Sequence, residues 1–367
     1  MSILIFIVIL LVLVVSHEFG HFIIAKLSGM RVDEFSFGFP PKLFGKKIGE
    51  TSYNVNLLPL GGYVKIHGEN PDEESLNGPD SNRSFTSKPK YVQALVLLAG
   101  VTMNFLVAWL LLSVGFMSGM PTSAGSISDS SLMQDQVLTV TSILPNSPAE
   151  EAGIKTGDKI VMLDTNTDST SNISSNLSPE DIQTFVKNHG SEEITFSLIR
   201  GDELEQISVM PKISESGAPV VGVSMDMVGT LKLSFFKAIW EGLKLSWDVF
   251  VSTLEAFSNL IRNAIVGQAD LSSLTGPIGI VRIVGDASHF GFAYLLSLTA
   301  LISLNLVVIN LFPFPALDGG RLLFLLIEKI KGSRIKPEVA NWVNTIGFGI
   351  LMLLMIIITY HDIVKLF

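Results

Sequence analysis

His17-Glu18-Phe19-Gly20-His21 is where residue type and spacing first suggest chemistry. Residues four apart on a helix share a face, so His17 and His21 can each give one ring nitrogen to a single Zn2+. Glu18 stands beside the first ligand, where it can serve as general base toward a water at the metal and later protonate the leaving amine. Catalytic zinc usually takes three protein ligands. The chain has no cysteine and six histidines, and His67, His189, His289 and His361 fall in loops, the polar insert or the far end of the sequence. A carboxylate is therefore needed, and Asp318 stands at the end of the third apolar run, in Asn310-Leu-Phe-Pro-Phe-Pro-Ala-Leu-Asp-Gly-Gly320. Two prolines break the helix there, and non-helical backbone at membrane depth is tolerated only where protein or a watery cavity surrounds it. The plainer alternatives are a polar pair that stabilises helix packing and an Asp318 that caps the next helix.

The elements that must hold these residues are apolar helices. Of 367 residues 48% are apolar and 16% charged, with a mean hydropathy of +0.48. An ordinary globular chain is about 25% charged. Four runs approach the roughly 20 apolar residues needed to cross a bilayer: Ile3 to about Leu27, Tyr91–Met120, Phe290–Leu317 and Asn341–Tyr360. The first lacks a basic leading region and a small-residue cleavage site, which argues against a signal peptide. Arg31, Lys42, Lys46, Lys47, Lys65, Arg83, Lys88 and Lys90 crowd the first loop; Arg321, Lys329, Lys331, Arg334 and Lys336 crowd the short third one. By the positive-inside rule both loops face the cytoplasm, and the polar insert lies outside. A net charge of −9 without a basic cluster makes nucleic acid an unsuitable partner.

The insert reads as a small α+β domain. Val137–Ile143 alternates like a strand, Asn146-Ser-Pro-Ala-Glu-Glu-Ala-Gly-Ile154 gives a turn and a short helix, and Thr156-Gly-Asp-Lys-Ile160 leads into another strand. Thr165–Ser178 has loop composition, Ser178-Pro-Glu-Asp181 starts a helix, and strands Ile194–Arg200 and Gln206–Met210 flank a Gly201-Asp202 turn. Beyond it, Leu233, Phe236, Trp240, Leu243, Trp247, Phe250, Leu254, Phe257 and Ile261 recur at three- and four-residue steps. They predict an amphipathic helix for the membrane interface or the spans.

Two resemblances follow from these motifs. The order SPAEEAG-I-K-x-GDKI resembles a circularly permuted bacterial PDZ domain, which accepts peptides by strand addition; an unspecialised β-rich domain is the alternative. HExxH in the first span with NxxPxPxLDG in the third resembles the site-2 protease family of intramembrane zinc metalloproteases, peptidase family M50. The PDZ-like insert points to its bacterial, sigma-factor-regulating branch. The resemblance implies His17, His21 and Asp318 as ligands of one zinc per chain, Glu18 as catalytic acid/base, and Asn310 as a substrate or oxyanion contact. It also likens Leu58-Pro-Leu-Gly-Gly-Tyr-Val-Lys65 to a membrane-associated β-hairpin that binds substrate, with Gly61-Gly62 at its turn, and Gly276-Pro-Ile-Gly-Ile280 to the family segment before the third span. Two departures stand out. Val101 replaces a proline often found in the Ala99-Gly100-Val101-Thr102-Met103-Asn104-Phe105 stretch, and there is room for one PDZ domain where better-known members have two.

The expected protein is a polytopic α-helical membrane protein with four transmembrane helices, a β-hairpin and an inserted PDZ domain. Its domains would be 1–120, 125–230, 231–289 and 290–367. The resemblance implies a multi-pass protein of the bacterial inner membrane that cleaves transmembrane segments of pre-cleaved proteins, with lipid and a transmembrane substrate as partners. The PDZ would meet a substrate C-terminus or periplasmic segment and act as a sieve. The competing reading is a PDZ-bearing membrane adaptor with a structural metal site; a metal transporter fits less well, because no repeated broken-helix pattern is seen.

Overall fold

The computed structural model describes residues 1–70, 73–124, 133–145, 147–165, 177–201, 203–214, 217–267, 275–289 and 291–364. Most of the Thr165–Ser178 loop, Asn146 of the first expected turn and Asp202 of the second lie outside them. In chain order, α1 (Ser2–Leu27), β1 (Val32–Ile48), β2 (Thr51–Ile66), α2 (Glu73–Asn77) and α3 (Lys90–Ser118) come first. Then follow β3 (Met120–Ser123), β4 (Met133–Ile143), α4 (Pro148–Ala152), β5 (Lys159–Thr165), α5 (Pro179–Asn188), β6 (Ile194–Arg200) and β7 (Glu203–Val209). The rest are β8 (Lys212–Ile213), β9 (Pro219–Val220), β10 (Val223–Leu231), α6 (Phe235–Ile265), α7 (Pro277–His289), α8 (Phe292–Leu311), α9 (Asp318–Lys331) and α10 (Pro337–Val364). The chain divides into two compact units, 1–114 with 238–367, and 115–237.

In the first unit, α1, α3, α8 and α10 are long and apolar enough to cross a membrane. A helix is the form in which such a run satisfies every backbone donor and acceptor without water. The third is shorter than the apolar run from which it was expected. Helix α8 stops at Leu311, because Pro313 and Pro315 supply no N–H, and residues 312–317 form an irregular link to α9.

Strands β1 and β2 form a long hairpin whose turn is not at Gly61-Gly62. It falls at Gly49-Glu50, between the paired Ile48 and Thr51, with Gly49 at φ 62°. Val32–Phe37 pairs with the Gly62–Ile66 end of β2 on one side and with Ser52–Val55 on the other. Gly61 (φ 99°) and Gly62 thus sit where β2 bends into an edge segment. Ala25, Met30, Val32, Val64, Ile66, Val96 and Leu97 form the core that seats this sheet on α1 and α3.

Helix α6 is amphipathic as expected, with a finding its pattern did not suggest. Ala238, Gly242 and Ser246 are its most buried positions, whereas Phe235, Phe236, Trp240 and Trp247 are exposed. Small residues let it approach α3 closely: a Cβ on Gly242 would lie 2.4 Å from Ser113 Oγ, and Trp109 Nε1 donates to Ile239 O at 2.9 Å.

The second unit is a six-stranded sheet in the order β3-β10-β4-β5-β6-β7, with a small β8-β9 pair and helices α4 and α5. Its core includes Leu138, Leu163, Ile182, Phe185, Ile194, Phe196 and Leu198. Helix α5 begins as its sequence suggests: Ser178 Oγ accepts from Asp181 N, and the Asp181 carboxylate accepts from Ser178 N, which holds that carboxyl below its ordinary range. The closing strands were not expected. β10 pairs with β4 and also with β3, joining Met120 to Leu231, although Val223, Met225 and Met227 alternate legibly.

Asp158 is fully buried and receives Arg200 Nε at 2.8 Å, Arg200 Nη2 at 2.7 Å and Lys155 N at 2.8 Å. The carboxylate raises the guanidinium further above its ordinary range. Arg200→Met strands a buried charge, which costs about 3 kcal/mol. In the full-length protein, amide exchange in β4 to β7 is expected to speed up by about two orders of magnitude; unchanged protection would contradict this.

Candidate metal centre

Helix α1 carries the first two residues of the site. His17 and His21 lie one turn apart with their rings edge to face and their Nε2 atoms 3.1 Å apart. Asp318 arrives from the first turn of α9, its Oδ2 3.1 Å from His17 Nε2 and 3.3 Å from His21 Nε2. These are the His/Asp/Glu atoms that converge among the described residues. Asp318 does not cap its own helix; Leu317 occupies that position without a side-chain bond.

The donor set fits zinc. Asp318 Oδ2 is buried and has no hydrogen bond despite its two short approaches to imidazole nitrogens. His21 Nδ1 lies 2.8 Å from Val96 O, a group that can only accept, so Nδ1 carries the proton and Nε2 keeps its lone pair. Three electron-rich atoms 3.1–3.3 Å apart match the edges, about 3.3 Å, of a tetrahedron with zinc at its centre.

Close backbone approaches make this possible. A Cβ at Gly20 would lie 2.3 Å from Ala99 O, so α1 and α3 cross where neither can carry a larger side chain. A Cβ at Gly100 would lie 2.4 Å from His21 Nε2 and 2.8 Å from His17 Cε1. Gly100→Ala is therefore expected to push the rings apart and lower cleavage about 100-fold, the scale of an ångström misplacement. Peptidase rate and bound zinc, measured side by side, check this; normal values of both would refute it.

The link carrying Asp318 is fixed in a similar way. Ala316 holds φ 74°, its N–H donating to Asn344 Oδ1 of α10 at 3.2 Å. The carbonyls of Leu311 and Phe312 crowd the Cα of Gly319, where a Cβ would meet them at 2.3 and 2.2 Å.

Glu18 faces the hairpin. The backbone of Val64 lies against its carboxylate, and a Cβ on Gly62 would stand 3.4 Å from Glu18 Cγ. The edge segment of β2 thus runs past the residue next to His17. Gly61 lies one residue further from that contact, where a Cβ would stand 3.0 Å from the Phe39 ring. Asn310 occupies the last turn of α8, half-buried, and hydrogen-bonds none of the three converging groups.

A model of peptidase family M50 matches residues 5–354. The chain belongs to peptidase family M50. A Clostridium perfringens protein named as a zinc metalloprotease is 35% identical over 353 residues, covering 96% of this chain and 95% of its own. Zinc metalloprotease RasP of Oceanobacillus iheyensis is 29% identical over 444 aligned residues, 97% of each chain. The regulator of sigma-W protease RasP of Bacillus subtilis is 29% identical over 439, covering 99% of this chain and 98% of its own. This M50 peptidase is a site-2-type, zinc-dependent metalloendopeptidase of a bacterial membrane.

Two side chains at the centre of this M50 peptidase had no role assigned from the sequence. Asn104 of α3, 1% exposed, faces His17, and Asn344 of α10 holds Ala316. A lone asparagine in an apolar helix is the signal that could have found Asn104, whereas Asn344 shares α10 with Asn341.

Proposed function

We propose that this M50 peptidase hydrolyses peptide bonds within transmembrane segments of membrane proteins already shortened by an earlier cut. His17, His21 and Asp318 would hold one zinc per chain. The convergence of their three ligand atoms, on segments at or within apolar helices, is the observation that carries the reading. Structural zinc is normally closed by four protein ligands, and the described residues converge as three, which favours a catalytic site over the adaptor reading.

Zinc, when bound, supplies a Lewis acid that polarises the scissile carbonyl and makes a water more acidic. Glu18 takes the proton from the attacking water on a carboxylate oxygen and returns it to the leaving amine nitrogen. A buried peptide bond must first unwind, and its freed N–H and C=O groups need partners that lipid cannot provide. The Gly62–Ile66 edge of β2, running past Glu18, pairs with no strand other than β1 among the described residues and would take the unwound segment as an added strand. Gly61 and Gly62 keep that edge clear of bulk, and Asn310 would steady the substrate carbonyl.

The 115–237 unit is read as a PDZ domain outside the membrane, with the first and third loops cytoplasmic. It would bind a substrate C-terminus or periplasmic segment and reject substrates that keep their outer domain. The name of the Bacillus subtilis relative supports a substrate in sigma-factor signalling, such as an anti-sigma factor; a remnant signal peptide has the same chemistry.

The test is cleavage of a single-span substrate by the purified full-length protein, with mass spectrometry of the products. A cut inside the span, abolished by a zinc chelator and restored by zinc, is expected. Stoichiometric zinc with no cut in any single-span substrate would favour the adaptor.

A further inference from the structure

We infer that Asn104 is a positioning residue that sets the tautomer of His17, and so decides whether that ring can ligate a metal. The inference rests on the zinc site described above. An imidazole can bind a metal through Nε2 only when its proton sits on Nδ1, and that N–H needs an acceptor. For His21 the acceptor is the Val96 carbonyl, part of the backbone. For His17 the polar group at Nδ1 is the side-chain amide of Asn104, its nitrogen 3.5 Å away.

Asn104 is 1% exposed, and its Oδ1, buried as well, has no hydrogen-bond partner. A half-turn of the amide exchanges oxygen and nitrogen without changing its shape. The oxygen then accepts from His17 Nδ1–H, and the His17 Nε2 lone pair turns to the point where His21 and Asp318 converge. The backbone that carries the amide is tied to α8: Ser303 Oγ, fully buried, donates to the main-chain carbonyl of Asn104 at 2.8 Å. The two ligand histidines therefore differ. One tautomer is fixed by a carbonyl that no substitution removes, the other by a replaceable side chain.

The experiment measures zinc affinity of the purified full-length protein by competition with a chromophoric chelator. It compares wild type, Asn104→Leu, Asn104→Asp and His21→Ala. Leucine keeps roughly the volume and removes the acceptor, so affinity is expected to fall 10- to 100-fold, as for other outer-shell partners of ligand histidines. Aspartate is isosteric and can only accept, so it should bind zinc at least as tightly as wild type. Rescue by aspartate would not follow from a packing role alone. Wild-type affinity in Asn104→Leu, or a tenfold loss in Asn104→Asp, would overturn the inference. If the leucine variant does not fold, the aspartate variant decides alone. His21→Ala should lose zinc; retention there would overturn the metal reading itself, and this inference with it.

Discussion

Replacing Glu18 by glutamine is expected to leave zinc bound and to cut the rate of peptide hydrolysis by a factor of about 10³ or more. Glutamine has nearly the same shape, so the segment of β2 that runs past this position keeps its place against α1. It cannot take a proton at neutral pH, however, and general acid–base catalysis by one group is worth about 10²–10⁴. Glu18 performs two transfers, one from water and one to the amine, which puts the loss toward the upper end. Turnover of a single-span substrate and zinc content should be measured on the same preparation. An active Glu18→Gln protein would remove Glu18 from the chemistry; a variant without zinc would make it part of the metal's support.

The second large effect is expected at Asp318. Asp318→Asn is isosteric, yet it removes the charge that faces two imidazole nitrogens at 3.1 and 3.3 Å. With two neutral histidine ligands left, zinc should be stripped by a chelator that the wild type resists, and cleavage should fall below detection. The fold should survive, since the carboxylate makes no cap or hydrogen bond that α9 depends on. A variant that kept one equivalent of zinc under that challenge would mean another group is the third ligand. Measuring zinc by elemental analysis beside circular dichroism separates lost metal from lost structure.

The chemistry was the legible part of this sequence because its signals are local. HExxH sets two nitrogens on one helix face whatever surrounds it, and the prolines before Asp318 dictate a broken helix whatever packs there. The capping box at Ser178 and Asp181 is similarly self-contained. What escaped depends on partners far away in sequence. Gly61-Gly62 looks like a hairpin turn in isolation, but Gly49 makes the tight reversal and Gly62 is needed for clearance over α1. The aromatic stripe of α6 attracts attention, whereas its buried positions are Ala238, Gly242 and Ser246, which carry almost no hydrophobic signal, and Gly242 makes the close contact with α3. Asn104 gains meaning only when α3 crosses α1.

One consequence follows from the way the 115–237 unit begins and ends. Its first and last strands are neighbours in the sheet, Met120 opposite Leu231, and Leu233 N bonds to Phe116 O just beyond them. The polypeptide therefore leaves and returns at adjacent rungs of one ladder, about 5 Å apart. A stretch of that kind behaves as a cassette. Excising it requires a splice of only a few residues, and exchanging it for another domain with neighbouring termini would leave α3 and α6 joined at the same separation. Variation in the number or kind of domains at this point need not disturb residues that lie on other segments of the chain.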